Sequence, residues 1–125
     1  MTRNQLFTSL NKLCKELSDK YNINCGGCCY VAACLAQNLE NAHIPFTVIH
    51  YDVFHCHYAI KVSDRYINRD DYPKNEIYEI LEISSSKLFD IYYENDWNCE
   101  YNTKNNSKVS SRINSLFRKY ANRRT

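Results

Sequence analysis

Glycine and proline are nearly missing from this chain. Its 125 residues hold two of each, whereas average glycine usage of roughly 7% would give about nine. Collagen-like repeats and proline-rich recognition tails are therefore excluded. The two glycines are adjacent, Gly26 and Gly27, which points to one special piece of backbone. No apolar run exceeds the nine residues from Cys28 to Ala36, far short of the roughly 20 that a membrane-spanning helix needs. The opening MTRNQLFTSLNKLC is an amphipathic segment and lacks the continuous apolar stretch of a secretory signal. The expectation is a soluble, cytoplasmic protein that makes no membrane contact.

Disorder is excluded by what is present. The chain is 44% hydrophobic and 14% aromatic, too apolar to remain unfolded. The length suits one domain, residues 1–125, with a core over about 3–72 and a mostly helical extension over 73–125. Seven cysteines (14, 25, 28, 29, 34, 56 and 99) make an odd count, and without an export signal they read as reduced thiols rather than a disulfide framework.

A net charge of +2 hides an asymmetry. Residues 1–69 carry seven Lys and Arg against five Asp and Glu, residues 70–100 two against nine, and residues 101–125 seven against none. The tail holding Lys104, Lys108, Arg112, Arg118, Lys119, Arg123 and Arg124 suits an acidic partner or nucleic acid. Its plainer reading is a helix laid against the acidic middle of its own chain, or simply solvated.

Leu6, Leu10, Leu13, Cys14 and Leu17 recur at three- and four-residue steps, so residues 3–20 read as a helix with Thr2 as N-cap. Ala32, Leu35 and Leu39 repeat that spacing in a second helix from Cys28 to about Asn41, which the loop before Pro45 halts. Residues 46–51, 56–62 and 65–69 are short, β-branched or aromatic and partly alternating, as strands of a small antiparallel sheet should be. Residues 74–82 and 86–95 read as helices and 102–107 as a polar loop. Val109, Ile113, Leu116, Phe117 and Tyr120 mark a final amphipathic helix.

A cysteine is a useful nucleophile when held as thiolate, which a helix N-terminus favours through its unpaired N–H groups and dipole. Cys28 and Cys29 both open the second helix. At about 100° per residue, Cys28 shares the stripe of Ala32, Leu35 and Leu39 and faces the sheet, whereas Cys29 is turned away beside it. Gly26 and Gly27 let a substrate chain come close.

The base then comes from the sheet. If Ser63 and Asp64 centre the turn joining the last two strands, facing residues have numbers summing to 127, and His57 faces Asp70. Directly opposed residues share a face with Cβ atoms roughly 5 Å apart. Ala59 and Asn68 follow on that face, while Tyr58, Ile60, Val62 and Ile67 form an apolar packing surface on the other. A three-residue loop would instead put Asp71 opposite His57.

Cys28 as nucleophile, His57 as proton carrier and Asp70 as orienting carboxylate are the parts of thiol acyl transfer. N–H groups at the start of the helix are natural oxyanion donors. Asn22 and Asn24 are candidates to add a side-chain amide, and Cys29 supports the same turn.

The run Cys28-x-x-x-Ala32-x-x-Leu35, Ile44-Pro45-Phe46-x-Val48, His57-Tyr58-Ala59-Ile60-Lys61-Val62 and Arg65-Tyr66-Ile67-Asn68-Arg69-Asp70 resembles the transglutaminase-like cysteine peptidase superfamily. The likeness covers about residues 22–72. It implies an α+β fold in which the nucleophile helix packs on a small antiparallel sheet with flanking helices, and a Cys28, His57, Asp70 triad. It further implies attack on amide bonds of a protein or peptide (hydrolysis, transamidation or deamidation) with no cofactor. Cys25-Gly26-Gly27-Cys28 also looks like the segment around the papain nucleophile. The glutamine that papain-like enzymes carry six residues upstream is here Asn22.

Two competing readings remain. Cys25 and Cys28 with His55 and His57 supply two sulfurs and two nitrogens to zinc, although His-x-His is a poor spacing for a structural site. The other is a catalytically inactive binding protein of the same fold. His50 reads as a strand residue, and Cys34 and Cys56 as core thiols.

Overall fold

The computed structural model describes residues 1–51, 57–69, 78–95 and 100–122. Helix α1 spans Arg3–Tyr21. Thr2 and Gln5 close a capping box at its start, each side chain serving the other's backbone N–H at 2.7 and 3.1 Å. Leu6, Phe7, Leu10, Leu13, Cys14 and Leu17 form its buried stripe.

Helix α2, Cys28–Asn41, is buried on every side from Cys28 to Ala36. The nine-residue apolar run is therefore the central helix of the core rather than a surface element. It ends in a Schellman arrangement. His43 takes φ 56° where glycine is usual, Ile44 N–H donates to the Leu39 carbonyl at 2.9 Å, and His43 N–H donates to that of Glu40 at 3.1 Å.

Strands β1 (Thr47–Tyr51), β2 (His57–Val62), β3 (Arg65–Ile67) and β4 (Tyr78–Leu81) form one antiparallel sheet in the order β3-β2-β1-β4. The β2–β3 ladder pairs Ile60 with Ile67, Lys61 with Tyr66 and Val62 with Arg65. Those numbers sum to 127, the register expected from a turn centred on Ser63 and Asp64. Ser63 takes φ 52° there in place of the usual glycine.

The two faces of the sheet differ. Val48, Tyr58, Ile60, Val62 and Ile67 join the core with the helices, α2 packing on β2 and α1 on β3. Ile49, Tyr51, His57 and Ala59 are at most 1% exposed yet stand apart from that core cluster. Alternation along the strands puts them on the reverse face.

Helix α3, Ser85–Glu94, packs on α2, and α4, Asn106–Asn122, packs on α1 and α2. Three expectations change. Residues 78–81 are an edge strand rather than helix: they pair along the open backbone of β1, and that long-range pairing outweighs a weak local helical pattern. The 102–107 loop contains a 3-10 turn at Thr103–Asn105 and the start of α4. Leu88, Tyr92, Tyr101, Val109, Ile113, Phe117 and Tyr120 belong to the same core as α1 and α2, so the second half is part of that core rather than an extension of it. The basic helix lies against α1 and α2, with Arg112 paired to Glu16 of α1 at 3.1 Å. Among the described residues, no helix is long and apolar enough to cross a membrane.

Candidate active site

Cys28 is the first residue of α2 and is 1% exposed. The turn before it is built by Cys25 N–H donating to the Asn22 carbonyl (2.9 Å) and Gly27 N–H donating to that of Ile23 (2.8 Å). Gly26 sits at φ 112°, a conformation closed to most side chains. Gly27 is the N-cap, so no side chain caps the first N–H groups of α2.

Gly27 serves a different purpose from the one expected. A Cβ built there would meet the ring of Tyr101 at 2.8 Å, and Tyr101 N–H donates to the Cys25 carbonyl at 3.0 Å. The missing side chain thus makes room for an aromatic ring from the far end of the chain. Tyr101 is itself buried, and its hydroxyl donates to Asn106 Oδ1 at 2.6 Å.

Cys29 points where its helical angle placed it, away from the sheet: its thiol donates to the Leu88 carbonyl of α3 at 3.5 Å. Asn22 is exposed at φ 57° and ends α1, its N–H donating to the Ser18 carbonyl. The α1 cap sets its backbone, and the described hydrogen bonds show no link from its side chain to the candidate site. Asn24 is half-buried and is the candidate donor that does reach across to the sheet.

It does so through Asn68. The two amides exchange bonds, Asn68 Nδ2 donating to Asn24 Oδ1 at 3.1 Å and Asn24 Nδ2 to Asn68 Oδ1 at 3.4 Å. Asn68 follows the last residue of β3, is 4% exposed and takes φ 61°. Its carbonyl oxygen lies 2.6 Å from His57 Nε2.

His57 opens β2 and is 1% exposed. A carbonyl oxygen only accepts, so Nε2 carries a proton. The Tyr51 ring, from the facing residue of β1, lies 6.2 Å away at 40°. Asn68 therefore ties the imidazole to the turn that precedes Cys28. Asp70, the expected orienting carboxylate, lies outside the described residues, as do Asp71, His55, Cys56 and Cys99.

Asn11 of α1 completes the network. Its Nδ2 donates to the Tyr66 carbonyl and its Oδ1 accepts from Asn68 N–H, both at 2.9 Å. A polar cavity of about 470 Å³ borders these amides, lined among others by Lys15, Ser18 and Asp19. Neither Asn11 nor Tyr101 was singled out from the sequence. Asn11 left one signal, a carboxamide directly beside the buried stripe of Leu10 and Cys14; Tyr101 left none.

The remaining candidates are structural or surface groups. Burial pushes the Cys14 thiol up to about 12 and that of Cys34 up to about 11, which suits inert core thiols. Cys25 is exposed. His50 stacks on Tyr58 at 4.5 Å and meets Glu79 at 3.4 Å, a partly exposed strand residue. Among the described residues, no three His, Cys, Asp or Glu side chains converge as a metal site requires. No family model, curated protein or solved structure matches the chain.

Proposed function

We propose that this protein attacks amide bonds of a protein or peptide through a Cys28 thiolate, with His57 as proton carrier and the Asn68 carbonyl in the orienting place expected of Asp70. The observation that carries the reading is the buried His57: Nε2–H is given to the Asn68 carbonyl, and Asn68 also holds the turn before Cys28. A fixed tautomer and a nucleophile at an N-terminal helical turn are what thiol acyl transfer needs.

In this reading the His57 ring, which strand alternation sends to the face away from α2, reaches Cys28 around the N-terminal end of β2, and its Nδ1 takes the Cys28 proton as sulfur attacks the substrate carbonyl carbon. The oxyanion is held by N–H groups at the start of α2, where Gly27 supplies no side-chain cap. The C–N bond breaks as the imidazolium returns the proton to the leaving amine. Water or a second amine then attacks the thioester, giving hydrolysis or transfer from one acyl-enzyme.

The burial of Cys28 and the Tyr101 ring over Gly27 favour a second reading, a catalytically silent binding protein of this fold. Iodoacetamide separates the two. An active Cys28, followed by peptide mass spectrometry, is alkylated well below pH 8 in folded protein, and His57→Gln slows it by about a hundredfold, the low side of general-base effects. A Cys28 that reacts no faster than Cys14, indifferent to the His57 change, would leave only the silent reading.

A further inference from the structure

We infer that Asn11, on the first helix, is a positioning residue for the imidazole. The inference rests on the reading of His57 as proton carrier and adds to it the element that sets the ring.

Strand β3 is only three residues long, and the chain leaves it at Asn68 in a left-handed conformation. Among the described residues, no ladder pair beyond Ile67 holds Asn68. An edge residue released from its ladder is free to turn about its backbone dihedrals, and its own carbonyl, in the following peptide unit, turns with it. Asn11 occupies that gap. Its single carboxamide bonds the Tyr66 carbonyl and the Asn68 N–H, both at 2.9 Å, as the backbone of a neighbouring strand would. The Asn24 amide holds the Asn68 side chain from the other direction at 3.1 Å.

With its N–H held by Asn11 and its φ set at 61°, Asn68 keeps only ψ to aim its own carbonyl, which meets His57 Nε2 at 2.6 Å. The acceptor that selects the tautomer is therefore a backbone oxygen whose aim is set by a helix 57 residues earlier in the chain. This explains why a half-buried asparagine stands next to the apolar stripe of α1, where a leucine would bury more apolar surface. It also assigns the Asn68 side chain a secondary part: its backbone does the orienting.

Nitrogen-15 NMR of the His57 ring in the intact protein tests this. The wild type should show a single tautomer with the proton on Nε2. Asn11→Ala should give a mixture of the two tautomers and an about three- to tenfold slower alkylation of Cys28 at neutral pH, the effect of losing one net hydrogen bond. Asn11→Asp keeps the acceptor for Asn68 N–H and should retain the Nε2 tautomer. Asn68→Gly keeps the carbonyl and the left-handed backbone and should retain it too. An unchanged single tautomer in folded Asn11→Ala overturns the inference. If that variant does not fold, Asn11→Ser, too short to span both groups, is read the same way and decides. The NMR result does not depend on catalysis: a His57→Gln change without effect on Cys28 would sink the functional reading alone.

Discussion

The two halves of the candidate site are held by different physics. Cys28 is fixed by packing: a glycine with no room for a methyl group, an aromatic ring laid on it, and a helix buried all round. His57 is fixed by directional bonds, Nε2 on a carbonyl whose residue is held by two other asparagines. Packing resists changes of volume, whereas a hydrogen-bond chain resists loss of a donor or acceptor. The nucleophile side should therefore respond to size and the imidazole side to polarity.

The largest effect is expected where packing rules. Tyr101→Ala removes a buried ring and should cost about 3–5 kcal/mol. Gly27→Ala in the wild type should cost about 1–3 kcal/mol, because the ring atoms it meets at 2.8 Å are walled in. In the Tyr101→Ala background the same change should be nearly neutral. Urea unfolding of the four proteins gives the coupling; simple additivity would show that the contact is not what excludes a side chain at 27.

On the imidazole side, Asn24→Ala strands a buried Asn68 amide and should cost about 1–3 kcal/mol. Asn68→Ala should be worse than Asn68→Gly by about 1 kcal/mol, since only the former strains a left-handed backbone. Equal losses for the two would place the importance of Asn68 in its side chain. The same unfolding assay measures them.

How much of this was legible follows the same division. Repeating apolar positions exposed both long helices and the buried stripe of α1, because periodicity records burial directly. The hairpin register followed from one turn and was right through Ile67. Three things were hidden. Strand β4 depends on an open edge 30 residues away in the sequence, which the local pattern of residues 78–81 does not record. Tyr101 meets Gly27 across 74 residues, so the glycine alone suggested substrate access rather than a ring. The acceptor for His57 is a main-chain oxygen, a group every residue has; only the left-handed bend at Asn68 aims it, and composition is blind to that.

A pH scan probes the packed side without mutation. The Cys14 and Cys34 thiols, ordinarily near 9.0, are raised by burial to about 12 and about 11. Below pH 9 both folded and unfolded thiols hold their protons and nothing changes. Above it the unfolded thiol ionises while the folded one cannot, so stability is lost as pH rises from about 9 toward 11 and 12. Each thiol should contribute a slope of about 1.4 kcal/mol per pH unit in that window. Cys14→Ala should remove one thiol's share of the slope, whatever it costs at neutral pH. A slope unchanged by that substitution would locate the alkaline sensitivity elsewhere.

The smallest effect should come from a directional contact at the surface. Arg112 on α4 and Glu16 on α1 approach to 3.1 Å, but both side chains are half exposed. Water and salt screen such a pair, and ordering two long side chains offsets much of the attraction. Arg112→Ala should cost under about 1 kcal/mol and less still in 0.5 M salt, set against about 1–3 kcal/mol for Asn24→Ala, which should be insensitive to salt. The contrast carries the argument: burial, more than the formal charge of the partners, decides what a polar contact is worth here. A loss above 2 kcal/mol at Arg112 would mean that α4 is held to α1 by charge rather than by Val109, Ile113, Phe117 and Tyr120 in the shared core.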